Sequence, residues 1–221
     1  LRFIDYETLF VENIGRHFLG IDYTGQNKAE AMKKYLELSN PYYKIEVRTK
    51  TLADIITNEP EFLNENDFNF ICIGNTNSEI FADMALKSKT LKKPLLFMWV
   101  EPYLAGGHCV YIAPHSETNF RDLFDGTYYK NNVISKGEYD KNLFTDREAG
   151  CQTSFTPYSL TNVMTFVSAL YPKLLDILNG KIKTGKSFTW IGDLKFLKEN
   201  GYELSEMAEK NVNGNILEED I

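Results

Sequence analysis

The chain has 221 residues, a net charge of −7 at pH 7 and a hydrophobic content of 43%. That length supports one domain with a sizeable core, and the acidic balance leaves no basic stripe for nucleic acid. No apolar run reaches the roughly 18 residues of a membrane span, and no signal-peptide pattern opens the chain. Three cysteines, few and odd in number, fit a reducing, cytoplasmic setting. Neither a nucleic-acid nor a membrane partner is expected.

Taken in chain order, residues 1–5 read as a strand tip and 11–17 as a short helix. Residues 28–38 are helical, with Ala29, Met32, Tyr35 and Leu36 on one face. A strand is expected over 44–47, and a short helix begins at 52–56. The run 68–73 is apolar enough for a strand buried on both faces, with Cys72 in the core. Residues 78–86 form a helix with Ser78 as its N-cap. Strands follow over 95–100 and 108–112, the second antiparallel. Residues 115–150 are polar, with scattered aromatics, and read as an insertion or mobile loop. One long helix covers 158–178, interrupted or bent at Pro172, with Phe166, Leu170, Leu174 and Ile177 as its apolar face. A late strand covers 188–191, and the acidic, Asn-rich tail from about 203 is expected to fray. Helices alternating with strands imply an α/β fold. It is Rossmann-like and doubly wound, with a largely parallel sheet, helices on both faces and antiparallel strands at one edge.

One short segment holds the polar groups of a nucleotide site. Asp5 ends the first strand, Asn13 and Arg16 follow as Asn-x-x-Arg, and Lys28 opens the next helix. A carboxylate can accept both hydroxyl protons of a ribose diol, and such a residue sits at a strand's C-terminal tip in doubly wound nucleotide folds. Arg16 can fork onto phosphate oxygens and Lys28 can act as a point charge. Singly, each has a plainer reading: Asp5 as a turn residue, Arg16 and Lys28 as solvated charges. The ordered set is far more specific.

The segment resembles the ThiF/MoeB family of ubiquitin-activating-type adenylyltransferases. The matching residues are Asp5, Asn13-Ile14-Gly15-Arg16-His17 and Gly25-Gln26-Asn27-Lys28-Ala29, then Asn40-Pro41 before a strand. Further on come Gly74-Asn75, Trp99-Val100-Glu101-Pro102, Gly106-Gly107-His108 and Gly150-Cys151-Gln152 leading to Phe155-Thr156-Pro157-Tyr158. The later motifs look like a bacterial branch found in anti-phage operons, often fused to a conjugating-enzyme-like domain. The resemblance implies an adenylation domain over residues 1–180, with 181–221 as its C-terminal extension. It implies ATP and Mg²⁺, a protein C-terminal tail as substrate, a conjugating-enzyme-like partner and a homodimer packed through the long helix. Asp5, Asn13, Arg16, Lys28 and Asn75 would bind the nucleotide, and Arg16, Lys28 and Cys151 would be catalytic.

Three departures qualify this. The family's Gly-rich turn and its strand, expected upstream of Asp5, are absent from the sequence, so the domain reads as N-terminally incomplete. Asn75 stands where relatives carry an Asp for Mg²⁺, and a neutral amide is a weaker ligand; Asp5 and Glu79 are other contributors to weigh. The family's paired Cys-x-x-Cys is missing, so no zinc tetrathiolate forms.

Cys151 precedes a long helix, where a thiolate gains from the dipole; the resemblance implies a thioester there, against the alternative of an inert buried thiol. Cys109 reads as structural. His108 orients a loop or satisfies the core, Glu101 lines a tail channel, and His17 aids the phosphates or merely ends a helix. The rival functions are a sulfur-carrier adenylyltransferase of thiamine or molybdopterin synthesis and a non-catalytic scaffold.

Overall fold

The computed structural model describes residues 1–141, 146–147, 154–155 and 158–221. The chain divides into two compact units, Leu1–Asn66 and Asp67–Ile221. Among the described residues no helix is long and apolar enough to cross a membrane.

The first unit is built on a strand–helix–strand motif: β1 (Arg2–Ile4), α1 (Lys28–Ser39) and β2 (Glu46–Arg48). The two strands pair in parallel, Phe3 opposite Val47, which requires a crossover, and α1 supplies it. Residues 11–17 do not form the expected helix. Two single 3₁₀ turns, Val11–Asn13 and Ile21–Tyr23, stand between β1 and α1. The Asn13 side chain accepts from the Phe10 N–H at 3.0 Å, and this local bond closes a turn rather than propagating a helix. Leu9, Leu19 and Ala31 are buried together, flanked by Ile14, Tyr23, Met32 and Tyr35, so the connecting segment is packed onto α1.

The strand expected over 44–47 begins two residues later. Next come α2 (Leu52–Asn58) and α3 (Glu61–Asn64), the latter too short to show a period in sequence. Phe62 of α3 lies under the guanidinium groups of Arg2 (5.0 Å) and Arg48 (4.3 Å). Glu46 and Glu65 hold Arg2, and Glu59 holds Arg48.

The second unit opens with β3 (Asn69–Ile71), α4 (Thr76–Lys87), β4 (Leu95–Val100) and β5 (Gly106–Ile112). A 3₁₀ turn, Phe120–Leu123, leads to the hairpin β6 (Phe124–Asp125) and β7 (Tyr128–Tyr129), then α5 (Lys136–Asp140). β8 (Asp146–Arg147) and β9 (Ser154–Phe155) pair antiparallel. The chain ends with α6 (Leu160–Leu178), β10 (Lys186–Ile191), α7 (Leu194–Glu199), α8 (Glu206–Glu209) and β11 (Ile216–Asp220). The main sheet has the order β11-β10-β5-β4-β3. β3 and β4 are parallel, and the antiparallel strands β5, β10 and β11 continue from β4 to the other edge.

Each strand residue faces the side opposite its neighbour's, and the two faces bury different partners. On one, Leu96, Cys109, Tyr111, Phe188 and Trp190 pack against Phe166, Leu170, Leu174 and Ile177 of α6, the four residues that its periodicity marks. α6 runs on through Pro172 as one helix. The Gly-Gly-His motif has a packing cause here. A methyl at Gly107 would lie 2.4 Å from the Phe166 ring, and one at Gly106 would lie 2.3 Å from Glu101 Oε1. On the opposite face Phe97 stacks on Phe120 (4.1 Å between ring centres), and Trp99 meets Tyr129 edge-on at 4.9 Å.

Three expectations are corrected. Within 115–150, residues 120–140 carry named elements and contribute Phe120, Tyr129, Val133 and Ile134 to the interior. Cys72 lies just beyond β3 and is exposed, although protein crowds the thiol enough to push its pKa up to about 11. The tail does not fray: β11 pairs with β10, and its Glu218 is held by Lys173 (2.6 Å) and Lys186 (2.8 Å).

Candidate active site

Asp5 is the first residue beyond β1, at the C-terminal tip of a parallel strand, where α/β folds gather ligands. Its backbone N–H still donates to Arg48 O at 3.1 Å. The side chain folds into an Asx turn, Oδ1 accepting from the Glu7 N–H at 2.8 Å, while Oδ2 has no hydrogen-bond partner among the described residues. Burial raises the carboxyl's pKa, and the Glu7 N–H and the nearby charges of Lys28 and His17 oppose that rise.

Lys28 is the first residue of α1. Its backbone N–H donates to Glu7 O at 2.9 Å, and its ammonium forms an ion pair with the Glu7 carboxylate. His17 lies in the same electrostatic neighbourhood. Burial, and then Lys28, lower its pKa, and Asp5 acts the other way. Nδ1 of His17 accepts from the Leu19 N–H at 3.1 Å, which leaves the proton of the neutral ring on Nε2. The charges of Asp5, His17 and Lys28 thus influence one another, and Glu7 bonds the backbone and the ammonium of Lys28 and, through its N–H, Asp5 Oδ1.

Asn13 anchors the turn that carries the next two residues: its carbonyl receives the N–H of Arg16 at 3.0 Å and of His17 at 2.8 Å. The Arg16 guanidinium donates from Nη1 to Glu12 O at 3.1 Å. Two residues of this site were not anticipated. Glu7, two residues after Asp5, pairs with Lys28. Asn27, whose residue type before a helix start is an N-cap signal, bonds both the loop after β1 and the first turn of α1.

Asn75 belongs to the second unit. It, not Ser78, caps α4: Oδ1 accepts from the Ser78 N–H at 3.0 Å. The buried Glu79 carboxylate reaches back to the Gly74 N–H at 3.1 Å. Burial pushes its pKa up to about 7, against the pull of the Gly74 and Asn75 N–H groups. Of the three residues weighed for a cation, Asn75 and Glu79 thus serve the start of α4 and Asp5 the loop after β1, and among the described residues no group of three or more His, Cys, Asp or Glu is placed to hold a metal ion.

Glu101 does not line a channel. It is 1% exposed and accepts from the N–H groups of Val133 (2.6 Å) and Ile134 (3.0 Å) and bonds His108 Nε2 at 2.8 Å. His108 in turn bonds Thr189 through Nδ1 at 3.2 Å, so both residues serve the interior. Cys109 is fully buried, and burial raises its thiol pKa. Cys151 lies outside the described residues.

A family model described as the ThiF family matches residues 1–208. The chain belongs to the ThiF family. No curated protein matches this ThiF chain in sequence. Among solved structures it is similar to PaaA, at 16% identity and a TM-score of 0.57, with 98% of this chain and 63% of that one covered. It is also similar to Escherichia coli MccB, at 11% identity and a TM-score of 0.60 in a structure with succinimide, covering 99% of this chain and 55% of that one. Identity this low shows a common fold. The ThiF chain spans between about half and two thirds of the length of the structures it matches.

Proposed function

We propose that this ThiF chain is the adenylation portion of an E1-like enzyme, which activates the C-terminal glycine of a protein with ATP and passes it to a cysteine. The observation that carries the reading is that the loop of Asp5, off the C-terminal tip of β1, is hydrogen-bonded to the start of the helix that Lys28 opens, in a chain whose family model matches residues 1–208. The glycine carboxylate attacks the α-phosphorus of ATP. The bond from that phosphorus to the bridging oxygen breaks, and pyrophosphate leaves with the electron pair. Asp5 Oδ2 accepts a ribose hydroxyl proton. Lys28, exchanging Glu7 for phosphate, and Arg16 offset the charge that builds on the leaving group. Asn13 holds the turn that presents Arg16.

Magnesium would accompany the nucleotide on its phosphates and on water. Among the described residues no group of three or more His, Cys, Asp or Glu is placed for it, and no step here is routed through it.

In the second step the Cys151 thiolate attacks the acyl carbon. A C–S bond forms, AMP departs, and the acyl group goes on to a conjugating-enzyme-like partner. We place this activity in the cytoplasm, in a bacterial ubiquitin-like pathway of defence against phage, with residues 1–180 as the adenylation domain and 181–221 as its extension. The homodimer belongs to the same proposal. The outward side of α6 carries Met164, Val167, Tyr171, Leu175 and Leu178, all exposed, at the 3-4-4-3 spacing of a helix-pairing stripe.

The test uses the full-length protein. ATP–pyrophosphate exchange should require an added protein ending in glycine, and Cys151→Ala should keep exchange while losing a reducible thioester. Absence of ATP binding would instead favour a scaffold with this fold.

A further inference from the structure

The four hydrogen bonds of one side chain connect the two charged groups on which the nucleotide reading rests. Asn27 Nδ2 donates to Asp5 O at 2.8 Å and to Glu7 O at 3.1 Å. Its Oδ1 accepts from the N–H groups of Ala29 (3.0 Å) and Glu30 (3.1 Å). The amide end thus grips the loop that carries Asp5, and the carbonyl end grips the first turn of the helix that begins at Lys28. This half-buried residue bears no charge.

We infer that Asn27 is a positioning residue, a clasp that fixes the Asp5 carboxylate relative to the Lys28 ammonium so that ribose and phosphate of one nucleotide are met together. The inference rests on the proposed adenylation. Its physical content is that the two ends of the side chain do separable work. An N-cap needs only an acceptor oxygen, which Ser or Asp supplies as well as Asn. The grip on Asp5 O and Glu7 O needs a donor at the far end of an amide. Ser is too short for it, and ionised Asp has no proton to give. A helix cap with no further role would survive either change.

The experiment is ATP–pyrophosphate exchange by the full-length protein, comparing ATP with 2′-deoxy-ATP in the wild type and in Asn27→Ser. With Asp5 in register, the wild type should favour ATP through a lower KM. A hydrogen bond from a ribose hydroxyl to a carboxylate sets the scale, about tenfold or more. Asn27→Ser should raise KM for ATP by about that factor, leave KM for 2′-deoxy-ATP little changed and so bring the two together, with kcat and melting temperature near wild type. If Asn27→Ser does not fold, Asn27→Asp, which keeps the strong cap, takes its place with the same expectation. A folded variant that keeps the wild-type preference between the two nucleotides overturns the clasp while leaving adenylation standing. No exchange in the wild type overturns the functional reading, and the clasp with it.

Discussion

Lys28 serves a carboxylate already, since Glu7 holds it, and in the proposed adenylation a triphosphate would have to displace it. The Glu7 side chain is 52% accessible and that of Lys28 17%, and a pair open to solvent on the carboxylate side contributes about 1 kcal/mol. The latch is therefore weak, and its removal has a bounded consequence. Glu7→Gln should lower KM for ATP by up to about fivefold without a change in kcat; an unchanged or higher KM shows that Glu7 helps rather than competes. A second residue carries a pH signature. The carboxyl of Glu79 has its pKa raised to about 7 by burial, so the folded state holds its proton more tightly than the unfolded chain does. Its contribution to stability is full below the ordinary carboxylate range and is lost as the pH rises through about 7. Urea unfolding between pH 5 and 8 should show the wild type losing stability with rising pH, and Glu79→Gln should flatten that slope. An equal slope in the variant contradicts the assignment.

At the scale of elements, what could be read in the sequence is what local pattern dictates. The face of α6 is legible because Phe166, Leu170, Leu174 and Ile177 recur at helical spacing and all are buried in the same cluster. The strand β4 is legible because six apolar residues run without a break. Residues 120–140 are not, because their burial comes from single apolar residues set in polar sequence, held by partners far along the chain; Glu101 takes the N–H groups of Val133 and Ile134 from more than thirty positions away. The last strand hides for a related reason. Its acidic residues look solvated until Lys173 and Lys186 are seen beside Glu218. In the candidate site the same division holds. Asp5 and Lys28 announce themselves by type and spacing, whereas the Glu7 latch and the Asn27 clasp exist only once the loop after β1 lies against the start of α1. The contact of β5 with α6 gives the test at this scale. Gly107→Ala places a methyl against the Phe166 ring, and overpacking of this kind costs about 1–3 kcal/mol. Chemical denaturation should show that loss. Pairing the change with Phe166→Leu, which relieves the clash, should recover part of it; additive losses would contradict the contact.

For the molecule as a whole, the first unit holds Asp5, Asn13, Arg16 and Lys28, and the second holds the buttressed sheet with Glu101 at its interior. Membership in the ThiF family fits the arrangement of the first of these, in which Asn27 ties the loop of Asp5, after one parallel strand, to the helix that Lys28 opens. The net charge of −7 makes that arrangement more telling. A polyanion meets little general attraction from such a surface, so the proposed nucleotide binding would have to come from particular side chains rather than from a diffuse field. The most direct measurement is therefore ATP–pyrophosphate exchange by the full-length protein carrying Arg16→Ala or Lys28→Ala, with the folded state of each variant checked by its thermal melt. The account predicts that each variant keeps its fold and loses exchange by about a hundredfold, the scale of removing one preorganised charge from a developing anion. Folded variants that exchange at the wild-type rate would contradict it.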